Sequence, residues 1–251
     1  MAGRFKSAVG GTAAGLAELL YPARCFGCAA RVGEPGLCAE CEGGLRSVEA
    51  PFCSTCGEPY AGEIGSEFHC SNCSGRQFAY DFAIAGYRAT GALRKLIHDF
   101  KYRRRFAARR TLAQFAEAAL ADPRIAGADF DDWLVVPVPL HPRRERERGY
   151  NQAAEIGALV AGACGLPFCD ALQRTRYTSA QARLVREERL ENLRDAFRLR
   201  PAPAIRRRVD GAAVILFDDV FTTGATADAC ARVWREHGGA EKVVVATVAR
   251  G

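Results

Sequence analysis

Four short apolar runs, separated by stretches with helical spacing, dominate the last two thirds of the chain. Each run has seven or eight residues and a composition typical of buried strands, and together they span 82–88, 133–140, 212–219 and 242–249. Between the first two runs, Leu93, Leu96, Ile97 and Phe100 recur at helical spacing. Residues 90–120 are therefore predicted to form one or two helices.

Two further helices are predicted at residues 151–164 and 226–237, with Gly165 and the Gly238-Gly239 pair placed to end them. Strand, helix and strand then alternate, which predicts an α/β fold: a doubly wound, mostly parallel sheet with helices on both faces. Residues 173–208 are rich in arginine and poor in apolar side chains, and are either a mobile loop or a pair of solvated elements.

Residues 24–75 lack this periodicity and hold most of the cysteines. Eight of the eleven cysteines form four C-x-x-C pairs, a pattern typical of metal ligation in a reducing compartment such as the cytoplasm. Zinc prefers four thiolates, so two pairs make one site. The spacing favours sequential pairing and leaves interleaved pairing open, with His69 as an alternative ligand. The expected ligands are Cys25, Cys28, Cys38 and Cys41 for the first site, and Cys53, Cys56, Cys70 and Cys73 for the second.

Both zinc sites are expected to be structural, because protein ligands fill all four positions and so short a segment has too little core to fold without metal. We therefore predict a lead-in at residues 1–23, a double zinc-ribbon module at 24–76 and an α/β domain at 77–251. The basic, Ala/Gly-rich start is interpreted as a short amphipathic helix rather than a signal peptide, because Glu18 interrupts it. No run approaches the ~20 apolar residues of a membrane span.

Charge is segregated along the chain, whose formal net charge is +6. Residues 25–73 hold seven glutamates and two arginines, a charge of −5, which leaves +11 for the rest. Each four-thiolate zinc site adds two negative charges. Nucleic acid is therefore expected to avoid the zinc module and to contact the basic remainder of the chain.

The segment 214–226, VILFDDVFTTGAT, joins an apolar strand to a helix through a turn of small residues. Asp218 and Asp219 would reach the carboxyl end of the sheet, where doubly wound folds bind ligands. Backbone N–H groups and hydroxyls of the turn can hold a phosphate while the two carboxylates accept hydrogen bonds from ribose hydroxyls. The predicted ribose-phosphate site comprises Asp218, Asp219, Thr222, Thr223, Gly224, Ala225 and Thr226.

Residues 94–110 are the most basic stretch, and aromatic residues are interleaved among the arginines. This pattern is typical of single-strand binding, and equally of a solvated helix whose aromatic residues are core. The nucleic-acid candidates are Lys95, Lys101, Tyr102, Arg103, Arg104, Arg105 and Arg109.

The 214–226 segment resembles the phosphoribosyl-pyrophosphate (PRPP) signature of type I phosphoribosyltransferases. The wider chain resembles the ComF family, also called ComFC, from about residue 19 to the end. The resemblance rests on LYPARCFGC (20–28), HDFKY (98–102), VVPVPLHPRRERERGYNQ (135–152) and a pattern formed by Thr178, Gln181, Leu184, Arg189, Asn192 and Phe197. One departure is Arg103-Arg104-Arg105, where a smaller, glycine-containing turn is expected.

This resemblance implies a type I phosphoribosyltransferase-like fold, PRPP with magnesium as ligand, and single-stranded DNA as a partner during DNA uptake, together with components of the uptake machinery. It makes Pro137, Val138, Pro139, Leu140 and His141 the pyrophosphate loop. Residues 174–194 correspond to a loop that closes over PRPP, with Arg176, Gln181, Arg189 and Asn192 as candidates. Arg143 and Arg148 are further candidate pyrophosphate contacts.

Other functions on the same pattern are an active phosphoribosyltransferase of nucleobase or nucleotide metabolism and a PRPP-sensing regulator. The zinc module occupies the region that could form a base-binding hood, and no residue clearly reads a nucleobase. Catalytic residues are not identified, because an oxocarbenium-like centre is stabilised by electrostatics and loop closure rather than by a nucleophile.

Overall fold

The computed structural model describes residues 22–65, 67–125, 133–177, 193, 195–201 and 211–251. The helices are α1 (Ala39–Gly43), α2 (Gly91–Tyr102), α3 (Ala108–Glu117), α4 (Pro142–Arg148), α5 (Gln152–Cys164) and α6 (Ala225–His237), with a 3₁₀ turn at Ala118–Ala121. The strands are β1 (Phe82–Arg88), β2 (Trp133–Pro137), β3 (Leu172–Arg174), β4 (Phe197–Leu199), β5 (Ala213–Phe221) and β6 (Lys242–Arg250).

Four strands form one parallel sheet in the order β1-β6-β5-β2, and β3 and β4 form a separate antiparallel pair. The two central strands read as near-continuous apolar runs because both of their faces are covered. Val214, Leu216, Val243 and Val245 are accordingly inaccessible to solvent.

Helices cover both faces of the sheet. The Phe217 side chain lies against Gly157 of α5, where an added Cβ would come within 3.2 Å of the ring. The next residue, Asp218, is close enough to Cys230 of α6 to affect the pKa of that thiol. Successive strand side chains point to opposite faces, so α5 and α6 lie on opposite sides of β5.

Strand β5 extends past the end of β2, and this difference in length creates an opening at the carboxyl end of the sheet. The last residue pair is Pro137 with Phe217, after which the chain of β2 turns away while β5 continues to Phe221. Asp218 and Asp219 lie in this unmatched part of β5. Their side chains therefore border a space that no neighbouring strand fills on the β2 side.

The cysteine-rich segment packs along the outer edge of β1, and its buried residues belong to the main hydrophobic core. The N–H of Val48 donates to the carbonyl of Gly86, and the N–H of Ala83 donates to that of Thr55. The second cysteine cluster, Cys53, Cys56, Cys70 and Cys73, belongs to the same buried hydrophobic cluster as the sheet. The predicted zinc-ribbon module and the predicted α/β domain are therefore in contact over a buried interface.

The predicted α/β class, with a mostly parallel sheet and an N-terminal zinc-ribbon segment, is confirmed. The sequence left one or two helices open for residues 90–120, and the structure has α2 and α3. β5 runs two residues beyond the predicted strand end, β3 begins one residue before the arginine-rich stretch, and β4 lies within it. The predicted lead-in helix falls largely in residues 1–21, outside the described residues, and the domain boundaries stay predictions.

Among the helices that the structure describes, none is both long enough and apolar enough to cross a membrane.

In the turn after α2, one residue has a backbone conformation in the left-handed region. The family resemblance predicts a glycine-containing turn at this position. Arg104 has φ 52°, a conformation that costs a residue with a Cβ about 1–2 kcal/mol relative to the right-handed region. We predict that Arg104→Gly is more stable than Arg104→Ala by about 1 kcal/mol, because both lose the charge and only glycine relieves the strain. Denaturant unfolding in the presence of zinc measures the difference; equal stability of the two variants would refute the assignment.

Candidate functional site

The eight paired cysteines form two separate four-sulfur clusters. Within each cluster all four Sγ atoms lie within 4.8 Å of one another, with the first two C-x-x-C pairs in one cluster and the last two in the other. The sequential pairing is therefore confirmed and the interleaved one excluded. His69 belongs to neither cluster, and its Nδ1 lies 3.0 Å from the Thr55 hydroxyl. Four closely spaced thiols with no open position fit structural zinc.

In each cluster, backbone N–H groups near a cysteine sulfur favour the thiolate form, which is the form that binds metal. Burial alone would raise the pKa of the Cys25 thiol, but N–H groups including that of Cys38, 3.2 Å from the sulfur, lower it to about 6. In the second cluster, similar bonds outweigh burial and lower the pKa of Cys53 to about 7. Burial and the neighbouring thiols raise the pKa of Cys41 to about 12. Full ionisation of each cluster therefore requires the charge of the bound zinc.

Arg250, at the end of β6, links the second cluster to the end of β5. Its side chain is 6 % exposed and pairs with the Glu58 carboxylate at 2.6 Å. The guanidinium donates to the carbonyls of Cys56 and Phe221, both at 3.2 Å, and lies 3.9 Å from the Cys56 sulfur. One side chain thus holds both the turn of the second cysteine cluster and the end of β5. The end of β5 precedes residues 222–226, here called the threonine-rich turn.

A cleft of about 690 Å³ opens at the carboxyl end of β5 and β2. Its walls come from α2 on one side, the turn after β2 and α4 on another, and the end of β5 on a third. Five basic and two acidic side chains line it: Arg94, Lys101, Arg144, Arg148, Arg174, Asp218 and Asp219. This excess of positive charge suits a ligand with several negative charges.

The two acids are held in different environments. Lys101 of α2 reaches across the cleft, with Nζ 2.8 Å from the Asp219 carboxylate. Burial and the charge of Asp219 raise the pKa of Asp218 to about 7, although Lys101 acts in the opposite direction. Burial would lower the pKa of Lys101, but the two carboxylates outweigh it and raise that pKa. Lys101 therefore remains the cationic partner of the pair.

The threonine-rich turn leads directly into α6. Gly224 has φ 78° and is the residue before the helix, and a Cβ there would come within 2.8 Å of the Tyr80 hydroxyl. The N-cap residue Gly224 has no side chain to cap the helix, and the N–H of Ala225, the first residue of α6, donates to the Thr223 hydroxyl at 3.4 Å. Thr222 and Thr226 line the cleft; the other predicted members of the turn, Thr223, Gly224 and Ala225, lie between them.

The predicted pyrophosphate loop forms the facing wall. Val138, Pro139 and Leu140 line the cleft, Pro137 ends β2, and His141 caps α4 by accepting from the N–H of Arg143 at 3.2 Å. The Asn151 side chain caps α5 and donates to the Val138 carbonyl at 3.1 Å. One polar side chain thus fixes both the loop and the helix behind it.

The candidates for the closing loop are only partly described. Arg176 is exposed and does not line the cleft, while Gln181, Arg189 and Asn192 lie outside the described residues. Arg174, the first residue of the predicted closing loop and the last residue of β3, lines the cleft, and burial lowers its pKa.

The nucleic-acid candidates separate into internally paired and exposed residues. Asp99, only 2 % exposed, is surrounded by Lys95, Arg103 and Arg105 at 3.3–3.6 Å. Lys95 also donates to the carbonyl of Phe26, in the first zinc-binding turn. Arg109 pairs with Glu155 at 2.8 Å, and Lys101 belongs to the cleft. Tyr102, 64 % exposed, and Arg104 remain on the surface.

Sequence reasoning missed four basic side chains of the cleft: Arg94, His98, Arg144 and Arg174. Arg94 and His98 precede Lys101 by seven and three positions, which is the spacing of one helical face. That spacing was available as a signal, because the buried apolar residues of α2 lie on a neighbouring face of the helix. Arg144 and Arg174 gave no comparable signal, since each is one arginine among several.

Comparison with known proteins identifies one matching family model and several relatives. A family model described as "Double zinc ribbon domain" matches residues 16–74. Competence protein F of Haemophilus influenzae is 30 % identical over 85 % of this chain and 96 % of that protein. DNA utilization protein YhgH of Escherichia coli K12 is 28 % identical over 88 % and 95 %, respectively. Competence protein ComFC of Streptococcus pneumoniae is 26 % identical over 77 % and 86 %.

A solved structure described as the allosteric regulatory enzyme of purine biosynthesis is 22 % identical over 57 % of this chain, with a TM-score of 0.34. The present chain spans 26 % of that protein's length. This similarity is too low to bear on the site.

We predict that Cys28→Ser and Cys53→Ser each reduce the zinc content from two ions per chain to one, because each removes a ligand from one of the two clusters. Cys53→Ser should lower the melting temperature more, since Cys53 is 0 % exposed within the shared core whereas Cys28 is at the surface. Elemental analysis and thermal melts test this. A wild-type zinc content of one ion, or the reverse order of stability, would contradict it.

We predict that stability depends on pH through Asp218. The folded protein retains the Asp218 proton up to about pH 7, whereas an unperturbed Asp loses it near pH 3.8. The unfolded state thus binds fewer protons between these values, and the free energy of unfolding contributed by Asp218 falls as pH rises from about 4 to 7.

Asp218→Asn removes this contribution. From pH 5 to pH 8 the wild-type melting temperature should therefore fall relative to that of Asp218→Asn, by roughly 2–4 °C for each kcal/mol lost. Comparison of the two proteins in the same buffers cancels the pH dependence of zinc binding. A constant difference between them across this range would show that Asp218 titrates normally.

Proposed function

This chain belongs to the competence protein F (ComF) family, and we propose that it binds PRPP, or a related ribose phosphate, in the cleft at the end of β5. Relatives named for competence and DNA utilization support a role in DNA uptake during natural transformation. The proposal includes single-stranded DNA and components of the uptake machinery as partners. It places the protein in the cytoplasm, where thiolate zinc sites persist in a reducing environment.

The observation that carries the proposal is the meeting of the acid pair, the threonine-rich turn at the start of α6 and the basic walls in one cleft. The turn at residues 222–226 and the N-terminus of α6 would hold the 5-phosphate, as helix N-termini hold anions. Asp218 and Asp219 would accept hydrogen bonds from the ribose hydroxyls. The loop at residues 137–141, with Arg144, Arg148 and Arg174 on the same cleft, would hold the pyrophosphate.

Lys101 has a defined part in this binding mode. Its ammonium neutralises Asp219 at 2.8 Å before a ligand arrives, so the cleft does not repel a polyanion. Magnesium accompanies PRPP in the proposal, and Asp218 and Asp219 are the carboxylates placed to face it. Magnesium would supply further positive charge to the pyrophosphate.

We predict that Asp218→Asn together with Asp219→Asn abolishes PRPP binding, because amides cannot replace both acceptors of the ribose clamp. Titration calorimetry with magnesium measures the affinity, and zinc content and the melting profile verify the fold. Asp170→Asn, which removes an exposed carboxylate paired with Arg200, is the matched control and should bind as the wild type does. Unchanged affinity in the double variant would refute the clamp.

A further inference from the structure

Exposed aromatic rings in the described part of the chain coincide with arginines. Four large apolar side chains are exposed there: Tyr60, Tyr102, Phe106 and Tyr177. Tyr60 lies in the zinc module and packs on Phe68. Each of the other three has an arginine guanidinium over its ring, at 5.2 Å for Tyr102, 4.1 Å for Phe106 and 4.9 Å for Tyr177.

Two of these pairs are built on the same short helix, α4. Arg143, near its start, lies over Tyr177, and Arg148, at its end, lies over Tyr102. The two arginines are five residues apart, a rise of about 7.5 Å along a helix. A histidine ring lies beside each tyrosine as well, His141 at 5.2 Å from Tyr177 and His98 at 4.9 Å from Tyr102.

Helix α4 also carries two arginines whose charge is not used in an ion pair with a described residue. Arg144 and Arg146 form no ion pair with any described residue, whereas Lys95, Arg103 and Arg105 are grouped around Asp99. Arg144 lines the cleft and Arg146 is exposed. Charge that ion pairs leave available therefore lies on α4 between the two tyrosines, whereas in the run of three arginines that follows α2 Arg103 and Arg105 are paired with Asp99 and only Arg104 has no described ion-pair partner.

We propose that the pairs Tyr102–Arg148 and Tyr177–Arg143 are stacking sites for two nucleobases of a single strand, whose phosphates pass Arg144 and Arg146 along α4. Stacking on an exposed ring requires a base that is not paired or stacked in a duplex. Tyr102 retains 64 % and Tyr177 42 % of its surface for such contact. This inference rests on the proposed binding of single-stranded DNA and assigns it to α4.

The location has a consequence for the cleft. Tyr102, Arg144 and Arg148 line the cleft as well as belonging to the strand path. A strand bound along α4 therefore lies at the mouth of the ribose-phosphate site. The acidic zinc module contributes none of these residues, which agrees with the charge expected to repel nucleic acid.

The test is the affinity for a labelled oligothymidylate of about ten nucleotides, measured by fluorescence anisotropy at fixed salt. Tyr102→Ala and Tyr177→Ala should each weaken binding about 5- to 150-fold, the range for loss of one base stack. Tyr102→Phe should retain the affinity, because the ring remains. Tyr60→Ala, the same change on the zinc module, is the control and should bind like the wild type. Arg146→Gln should flatten the salt dependence of the logarithm of the binding constant by about 0.7.

The outcomes separate the stacking sites from the proposed function. Wild-type affinity in both alanine variants, with zinc content and melting profile intact, would overturn the stacking sites and leave DNA binding elsewhere on the protein. Absence of oligonucleotide binding by the wild type, with PRPP still bound, would overturn this inference and the DNA part of the proposed function together. Equal affinity for adenosine monophosphate and the oligonucleotide would show a mononucleotide site and overturn the path along α4.

Discussion

The buried guanidinium of Arg250 connects the metal sites to the ligand cleft. A charge with 6 % exposure is stable only with partners, and Arg250 has them on both sides: Glu58 and the Cys56 carbonyl in the zinc module, and the Phe221 carbonyl on β5. The negative charge of a four-thiolate zinc site, 3.9 Å away at the Cys56 sulfur, favours the same cation. The zinc module therefore acts as a brace that fixes the strand end from which the threonine-rich turn departs.

A second connection runs through α2. Lys95 and Arg105 both donate to the carbonyl of Phe26 in the first zinc-binding turn, and Lys101 on the same helix pairs with Asp219. The first zinc-binding turn thus contacts α2, which forms one wall of the cleft, and the second is linked through Arg250 to the end of β5, which forms another. The zinc module therefore supports these walls from outside the cleft and contributes none of its lining residues.

Two carboxylates and five basic side chains line the cleft. Their arrangement leaves the carboxyl groups available to form hydrogen bonds with a polar ligand. Lys101 neutralises Asp219, while the pKa of Asp218, raised to about 7 by burial and by Asp219, keeps that carboxyl partly protonated near neutral pH. A polyanionic ligand thus meets a field that is positive overall. The same positive charge continues onto α4, so the proposed DNA strand and the proposed ribose phosphate would bind to one electrostatic surface.

The sequence by itself determined the four strands of the parallel sheet, the helical stretches at residues 90–120, 151–164 and 226–237, the cysteine pairs and the acid-containing turn. These depend on local features: apolar runs, helical spacing, the C-x-x-C turns, and a strand followed by small residues before a helix. Local rules suffice there because the interacting groups are within a few residues of one another.

Only the tertiary structure decided which charges face each other. Lys101 and Asp219 are 118 positions apart in the sequence, and Arg250 is 194 positions from Cys56. In the basic stretch 94–110, helical spacing groups Lys101 with Arg94 and His98, but only the structure shows that Lys101 enters the cleft while Arg103 and Arg105 surround Asp99. A charge acquires its role from the partner that the fold places beside it, and here those partners come from distant segments that meet only when the parallel sheet is assembled.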